Sequence, residues 1–192
     1  MRRRGRTLLS GLALLALLAG CSQDAAPIMG QSALASVALH SSDGRTVSIS
    51  ALRGKPTLLF FGFTHCPEVC PLSLVKAVQL KRRLGPLAAD LQVVFVTVDP
   101  QRDTPAHLRQ YLAAFDPAFI GLSGDEAGTR AVAESLGVSY QRVGDGEAAT
   151  FEHTASWFLL GADGTLQDVL GYALSDAQMD ARVRTRLTAG GG

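Results

Sequence analysis

The segment Leu58-Leu-Phe-Phe-Gly-Phe-Thr-His-Cys-Pro-Glu-Val-Cys-Pro-Leu-Ser-Leu-Val-Lys76 constrains this chain more than any other. The apolar, aromatic-rich run from Thr57 to Phe63 has the length and composition of a fully buried strand, and Leu72, Val75, Gln79 and Leu80 then recur at helical spacing. Strand, loop and helix follow one another, with two cysteines in the loop. Proline is favoured at the first helical position, which puts the helix start at Pro71. Proline also disfavours the α conformation in the residue before it, so Pro67 and Pro71 move Cys66 and Cys70 out of regular helix and into the turn ahead of it. Both thiols then lie at a helix N-terminus. Free N–H groups and the dipole there favour thiolate, the form that binds metal or attacks disulfides.

Ahead of this segment, Met1-Arg-Arg-Arg-Gly-Arg6 runs into Leu8–Ala19, an apolar stretch of signal-peptide length and short for a bilayer span. Leu18-Ala19-Gly20-Cys21 resembles the lipobox of bacterial lipoproteins, in which the cysteine is acylated and becomes the first mature residue. Residues 1–20 are read as a lipoprotein signal peptide and 21–35, small and polar, as a tether after lipidated Cys21. An ordinary signal peptide with a chance cysteine is the plainer alternative. The domain is expected to be exported and lipid-anchored on the outer, periplasmic face of the cytoplasmic membrane. Cleavage would leave 172 residues, enough for one domain with its own core, expected as a monomer. Four leader arginines are lost with it, so a formal charge of +1 becomes −3 and no Lys/Arg-dense stretch survives; this argues against nucleic acid as a partner.

The remaining chain reads as an α/β domain over 36–188. Val37–Leu39 and Val47–Ile49 flank Ser41-Ser-Asp-Gly-Arg45, an N-terminal hairpin. After the helix of residues 71–84, Gly85-Pro86 breaks the pattern and Leu91–Val98 is a second buried strand, parallel to the first because a helix connects them. Thr104 caps a helix opened by Pro105. Phe119–Leu122, Ser139–Val143, Thr154–Leu160 and Thr165–Leu170 read as strands, the last two as a hairpin. Helices are expected over 125–136 and from Ser175 to about Leu187. The loop Asp99-Pro-Gln-Arg-Asp-Thr-Pro105 leaves a strand at its C-terminal end, where ligands of open α/β sheets gather.

With Cys21 assigned to lipid, only Cys66 and Cys70 remain. A domain of this size does not need a disulfide, and so short a loop would constrain the unfolded chain little, so the pair is read as functional. The spacing is one residue wider than the Cys-x-x-Cys of thioredoxin-like redox proteins, and a metal can bridge the two sulfurs. Two thiolates suit Cu(I), and a third, imidazole, ligand would let the site hold copper in either redox state; zinc is the rival ion. His153, before a late strand, is the candidate third ligand, although a surface histidine at a strand entry fits the position equally. His65, adjacent to Cys66, is kept as a tuner of thiol acidity.

Taken together, Phe61-Gly-Phe-Thr-His-Cys-Pro-Glu-Val-Cys-Pro71, Val98-Asp-Pro-Gln-Arg-Asp-Thr-Pro105 and Glu152-His-Thr-Ala155 resemble the three signature segments of the Sco/SenC proteins. These are copper-binding assembly factors for the copper A centre of cytochrome c oxidase. The resemblance covers about residues 35–188. It implies a thioredoxin-like fold, a central mixed sheet flanked by helices, and copper held by Cys66, Cys70 and His153. It also implies a copper-receiving subunit of the oxidase as partner and membrane attachment, here through a lipid. Asp99 matches an acidic position of the family, either orienting His153 through its ring N–H, capping the loop or meeting a partner. A membrane-anchored thiol-disulfide oxidoreductase using Cys66 and Cys70 is the alternative. Such enzymes carry a cis-proline where Ala155 stands, and a peroxidase would want a threonine or serine at Phe63 or Pro67.

Overall fold

A computed structural model describes residues 37–189; the expected leader, Cys21 and the tether lie outside the described residues. Among the described residues no helix is long and apolar enough to cross a membrane. The described residues form nine strands and four α-helices in order: β1 (Leu39–Ser41), β2 (Thr46–Val47), β3 (Thr57–Gly62), α1 (Val69–Leu84), β4 (Gln92–Thr97), α2 (Pro105–Ala113), β5 (Ile120–Ser123), α3 (Glu126–Ser135), β6 (Tyr140–Val143), β7 (Thr150–His153), β8 (Ser156–Leu160), β9 (Leu166–Gly171) and α4 (Asp176–Ala189).

Seven strands form one sheet in the order β2-β1-β5-β4-β3-β8-β9, and β6 and β7 form a separate ribbon. The central strand β3 pairs parallel with β4 from Thr57–Gln92 to Gly62–Thr97, and β4 pairs parallel with β5. On its other edge β3 meets β8 antiparallel, and β9 folds back on β8. The sheet is therefore mixed, as expected. All six β3 residues are buried, because a central strand covered on both faces has no side that can carry polar groups. Phe60, Phe61, Phe63, Phe95 and Phe158 are the bulkiest fully buried side chains, each contributing roughly 1.5–3 kcal/mol by leaving water.

The N-terminal hairpin exists and is joined to the sheet, since His40 of β1 pairs with Ser123 of β5. Its second strand is shorter than expected: Ile49–Leu52 winds into a 3₁₀ turn. The crossover helices lie close to the sheet. α2 packs on β5 at Gly121, where a Cβ would come within 2.8 Å of Leu108 Cβ. On α1 the buried stripe is Cys70, Ser73, Leu74, Ala77, Leu80 and Leu84, whereas Leu72 and Val75 face solvent at 50% and 42% exposure. The expected stripe was thus rotated. The helix also starts earlier than expected, at Val69, two residues ahead of Pro71. Proline is tolerated throughout the first turn, because those N–H groups lack intrahelical partners in any case.

Candidate metal centre

The end of β3 and the first turn of α1 are brought together by a glycine. A Cβ on Gly62 would lie 2.8 Å from Cys70 Sγ and 2.9 Å from the Phe95 ring, so this position leaves the space that the thiol occupies. Cys70 is the second residue of α1 and fully buried, not in the turn ahead of the helix as expected from Pro71. Cys66 stays in the loop, half-buried, and its sulfur accepts the Cys70 N–H at 3.4 Å. One free amide of the helix start therefore points at a sulfur. Both cysteines are free thiols. Burial nevertheless pushes the Cys70 thiol well up, a backbone hydrogen bond from Phe63 opposing it only in part. Desolvation outweighs the helix terminus at this residue.

The third expected ligand arrives from the far end of the chain. His153 closes the β6–β7 ribbon opposite Tyr140, and its Nε2 lies 3.8 Å from Cys70 Sγ. The ring stands edge-on to Phe60 and Phe63, at centroid separations of 5.9 and 6.1 Å. Phe151, two residues earlier on the same strand, packs on Phe63 at 5.3 Å and fixes the ribbon against the cysteine loop. His153 Nδ1 lies 3.2 Å from the Thr154 carbonyl, to which it donates its proton. Its Nε2 lone pair then faces the sulfur. Burial lowers the basicity of this histidine below the ordinary 6.5, opposed by the Thr154 hydrogen bond, so the ring is held as neutral imidazole.

Two expectations are corrected here. Asp99 does not receive the His153 ring N–H, which Thr154 takes. The buried Asp99 carboxylate pairs with Arg102 Nε, and Arg102 donates through Nη2 to the Ala149 carbonyl at 2.8 Å. The loop after β4 is thereby tied to the segment entering the His153 strand. Nor does the Asp99 carboxylate cap the loop: the Arg102 and Asp103 N–H groups go to its backbone carbonyl, and Thr104 caps α2. His65 turns toward Thr64 and stacks at His107, while the sulfur of Cys66 is reached by the Cys70 amide.

The residue that sequence reading missed is Asp103. It is fully buried and accepts from the Thr64 N–H at 3.0 Å, the Thr64 hydroxyl at 2.5 Å and the Thr97 hydroxyl at 2.6 Å. It therefore pins the cysteine loop to the end of β4. Two acids four residues apart in one loop were the available signal, and only packing separates their tasks.

The family model described as SCO1/SenC matches residues 29–188. The SCO2-like protein of Rickettsia felis is 38% identical over 125 residues, 64% of this chain and 61% of its own. The mitochondrial protein SCO2 homolog of Bos taurus is 37% identical over 150 residues, 76% of this chain and 56% of its own. The chain thus spans about three fifths of the length of the curated relatives it matches. Among solved structures, Bradyrhizobium japonicum ScoI with copper bound superposes with a TM-score of 0.71 at 37% identity, covering 78% of this chain and 96% of that one. The fold is the thioredoxin-like fold of these proteins, and with the match running over residues 29–188, the chain belongs to the SCO1/SenC family.

Proposed function

We propose that this protein is a copper-binding metallochaperone that helps assemble the copper A centre of cytochrome c oxidase, holding copper by Cys66 Sγ, Cys70 Sγ and His153 Nε2 for delivery to a copper-receiving subunit. The observation that carries the reading is the 3.8 Å approach of His153 Nε2 to Cys70 Sγ, with the other ring nitrogen engaged by a carbonyl. The donor set fits: two sulfurs select a soft ion, and one neutral imidazole extends the site to Cu(II). Copper in the Bradyrhizobium relative supports the choice of ion. The oxidase as destination rests on the likeness of the three motif segments.

Within this proposal the chain's own groups have separate tasks. Gly62 gives Cys70 its space, the Thr154 carbonyl fixes the tautomer of His153, and Asp103 and the Asp99–Arg102 pair hold the contributing segments in register. The domain would act as an exported protein, anchored through lipidated Cys21 on the outer, periplasmic face of the cytoplasmic membrane. Reduction of partner cysteines has no comparable support, because Ala155 stands immediately before β8 where reductases of this fold carry proline.

Metal analysis of the anaerobically purified, reduced protein tests the reading. Cu(I) should bind stoichiometrically to the native chain and fail to bind a Cys66→Ser, Cys70→Ser variant. Equal Cu(I) content in the two would sink the proposal.

A further inference from the structure

Beside the cysteine loop, a single oxygen touches three ligand-bearing side chains. Thr64 Oγ1 donates to Asp103 Oδ1 at 2.5 Å and lies 3.1 Å from His65 Nδ1 and 3.0 Å from His107 Nε2. The two imidazole rings are 6.0 Å apart between centroids and inclined by 29°. One ligand atom from each of His65, Asp103 and His107 lies within 4.8 Å of the other two. None of these three side chains is a ligand of the sulfur centre, although Asp103 also pins the loop that carries Cys66.

The charge balance points the same way. Asp103 is buried, yet the groups that donate to it, the Thr64 N–H and the two threonine hydroxyls, are all neutral. Its negative charge therefore acts on whatever occupies the space between the two rings, in surroundings where it is poorly screened. The rings themselves are exposed, whereas the carboxylate is buried and fixed by its donors. A tetrahedral ion with bonds of about 2.0–2.2 Å needs its ligand atoms roughly 3.3–3.5 Å apart. Rotation of the two exposed rings would supply that contraction, with the ion taking the place of the ring contacts to Thr64.

We infer that His65, His107 and Asp103 form a second metal site, separate from the sulfur centre, for a divalent ion of borderline hardness such as Zn(II) or Cu(II). Two imidazoles and a carboxylate offer none of the sulfur that Cu(I) selects, so this second site does not compete for Cu(I). Only one peptide bond separates His65 from Cys66.

The test uses the full-length chain in detergent with Cys66→Ser and Cys70→Ser, which removes the sulfur donors. Zn(II) is titrated while the ring nitrogens of all four histidines are followed by NMR. One equivalent should move His65 and His107 and leave His40 and His153 in place. Adding His107→Ala should weaken zinc uptake by at least about tenfold. His107→Ala in the otherwise native chain should leave anaerobic Cu(I) uptake intact. The site is overturned if zinc in large excess moves neither ring, if it moves only His40 or His153, or if His107→Ala leaves zinc uptake unchanged; loss of Cu(I) uptake in His107→Ala would overturn its separation from the sulfur centre.

Discussion

Burial acts on Cys70 and His153 in the same sense, favouring the uncharged form of each, and it gives the copper-free protein a pH signature. In the folded chain the Cys70 thiol stays protonated beyond its ordinary 9.0, whereas in the unfolded chain it ionises there. Its contribution to stability is fully present below pH 9.0 and is lost as pH rises above that value. The urea midpoint of the copper-free chain should fall above pH 9, and Cys70→Ser should remove that part of the fall. Metal uptake must expel the same proton, so copper affinity near neutrality should rise by about tenfold per pH unit from this thiol alone. A flat affinity profile would exclude Cys70 as a ligand. At Gly62 a steric effect governs: Gly62→Ala forces a methyl group to 2.8 Å from the sulfur, and we expect a loss of about 1–3 kcal/mol by urea unfolding together with weakened copper binding. Unchanged values in both assays would mean that α1 shifts freely.

The elements that carry the proposed ligands are held by two buried carboxylates, Asp99 and Asp103. Asp99 accepts from Arg102, which reaches across to Ala149. Removing Arg102 leaves a buried carboxylate unpaired, which typically costs about 3–5 kcal/mol, whereas removing Asp99 as well takes away that charge. Arg102→Ala should therefore be more destabilised in thermal unfolding than Asp99→Ala, Arg102→Ala, and the reverse order would show that the pair does not anchor this loop. Much at this scale was legible beforehand. β3 and β4 announce themselves as continuous apolar runs, and Thr104-Pro105 as a helix start, because burial on both faces and capping leave local marks. The β7 strand left none: Thr150–His153 is half exposed and four residues long, and pairs only with Tyr140–Val143. The side on which α1 buries itself was also illegible, since Leu72 and Val75 are as apolar as the residues that face the core. At the site, residue types in motif order suggested Cys66, Cys70 and His153, but the partner of each acid depends on contacts between loops far apart in sequence.

At the scale of the whole molecule, the proposed centre joins an early loop to a late ribbon, with Cys70 and His153 separated by 83 positions in the chain. The two cysteines differ in this respect, being four positions apart and close together even when the chain is unfolded. A soft ion can therefore bind the sulfur pair in either state, and only the imidazole distinguishes folded from unfolded protein. Copper stabilises to the extent that it prefers the folded chain, about 2.7 kcal/mol at a free concentration of a hundred times Kd where the unfolded chain does not bind. Sulfur binding in the unfolded chain reduces that gain, and removing His153 should abolish most of what is left. We expect anaerobic Cu(I) to raise the unfolding midpoint of the native chain clearly and that of His153→Ala only slightly, although both retain the two thiols. In His153→Ala the loss of direct affinity should also exceed the roughly 10- to 100-fold typical for a residue that merely supports a ligand. Equal midpoint shifts in the two proteins would mean that the copper is held by sulfur alone, and that the approach of His153 to Cys70 serves packing against Phe60 and Phe63.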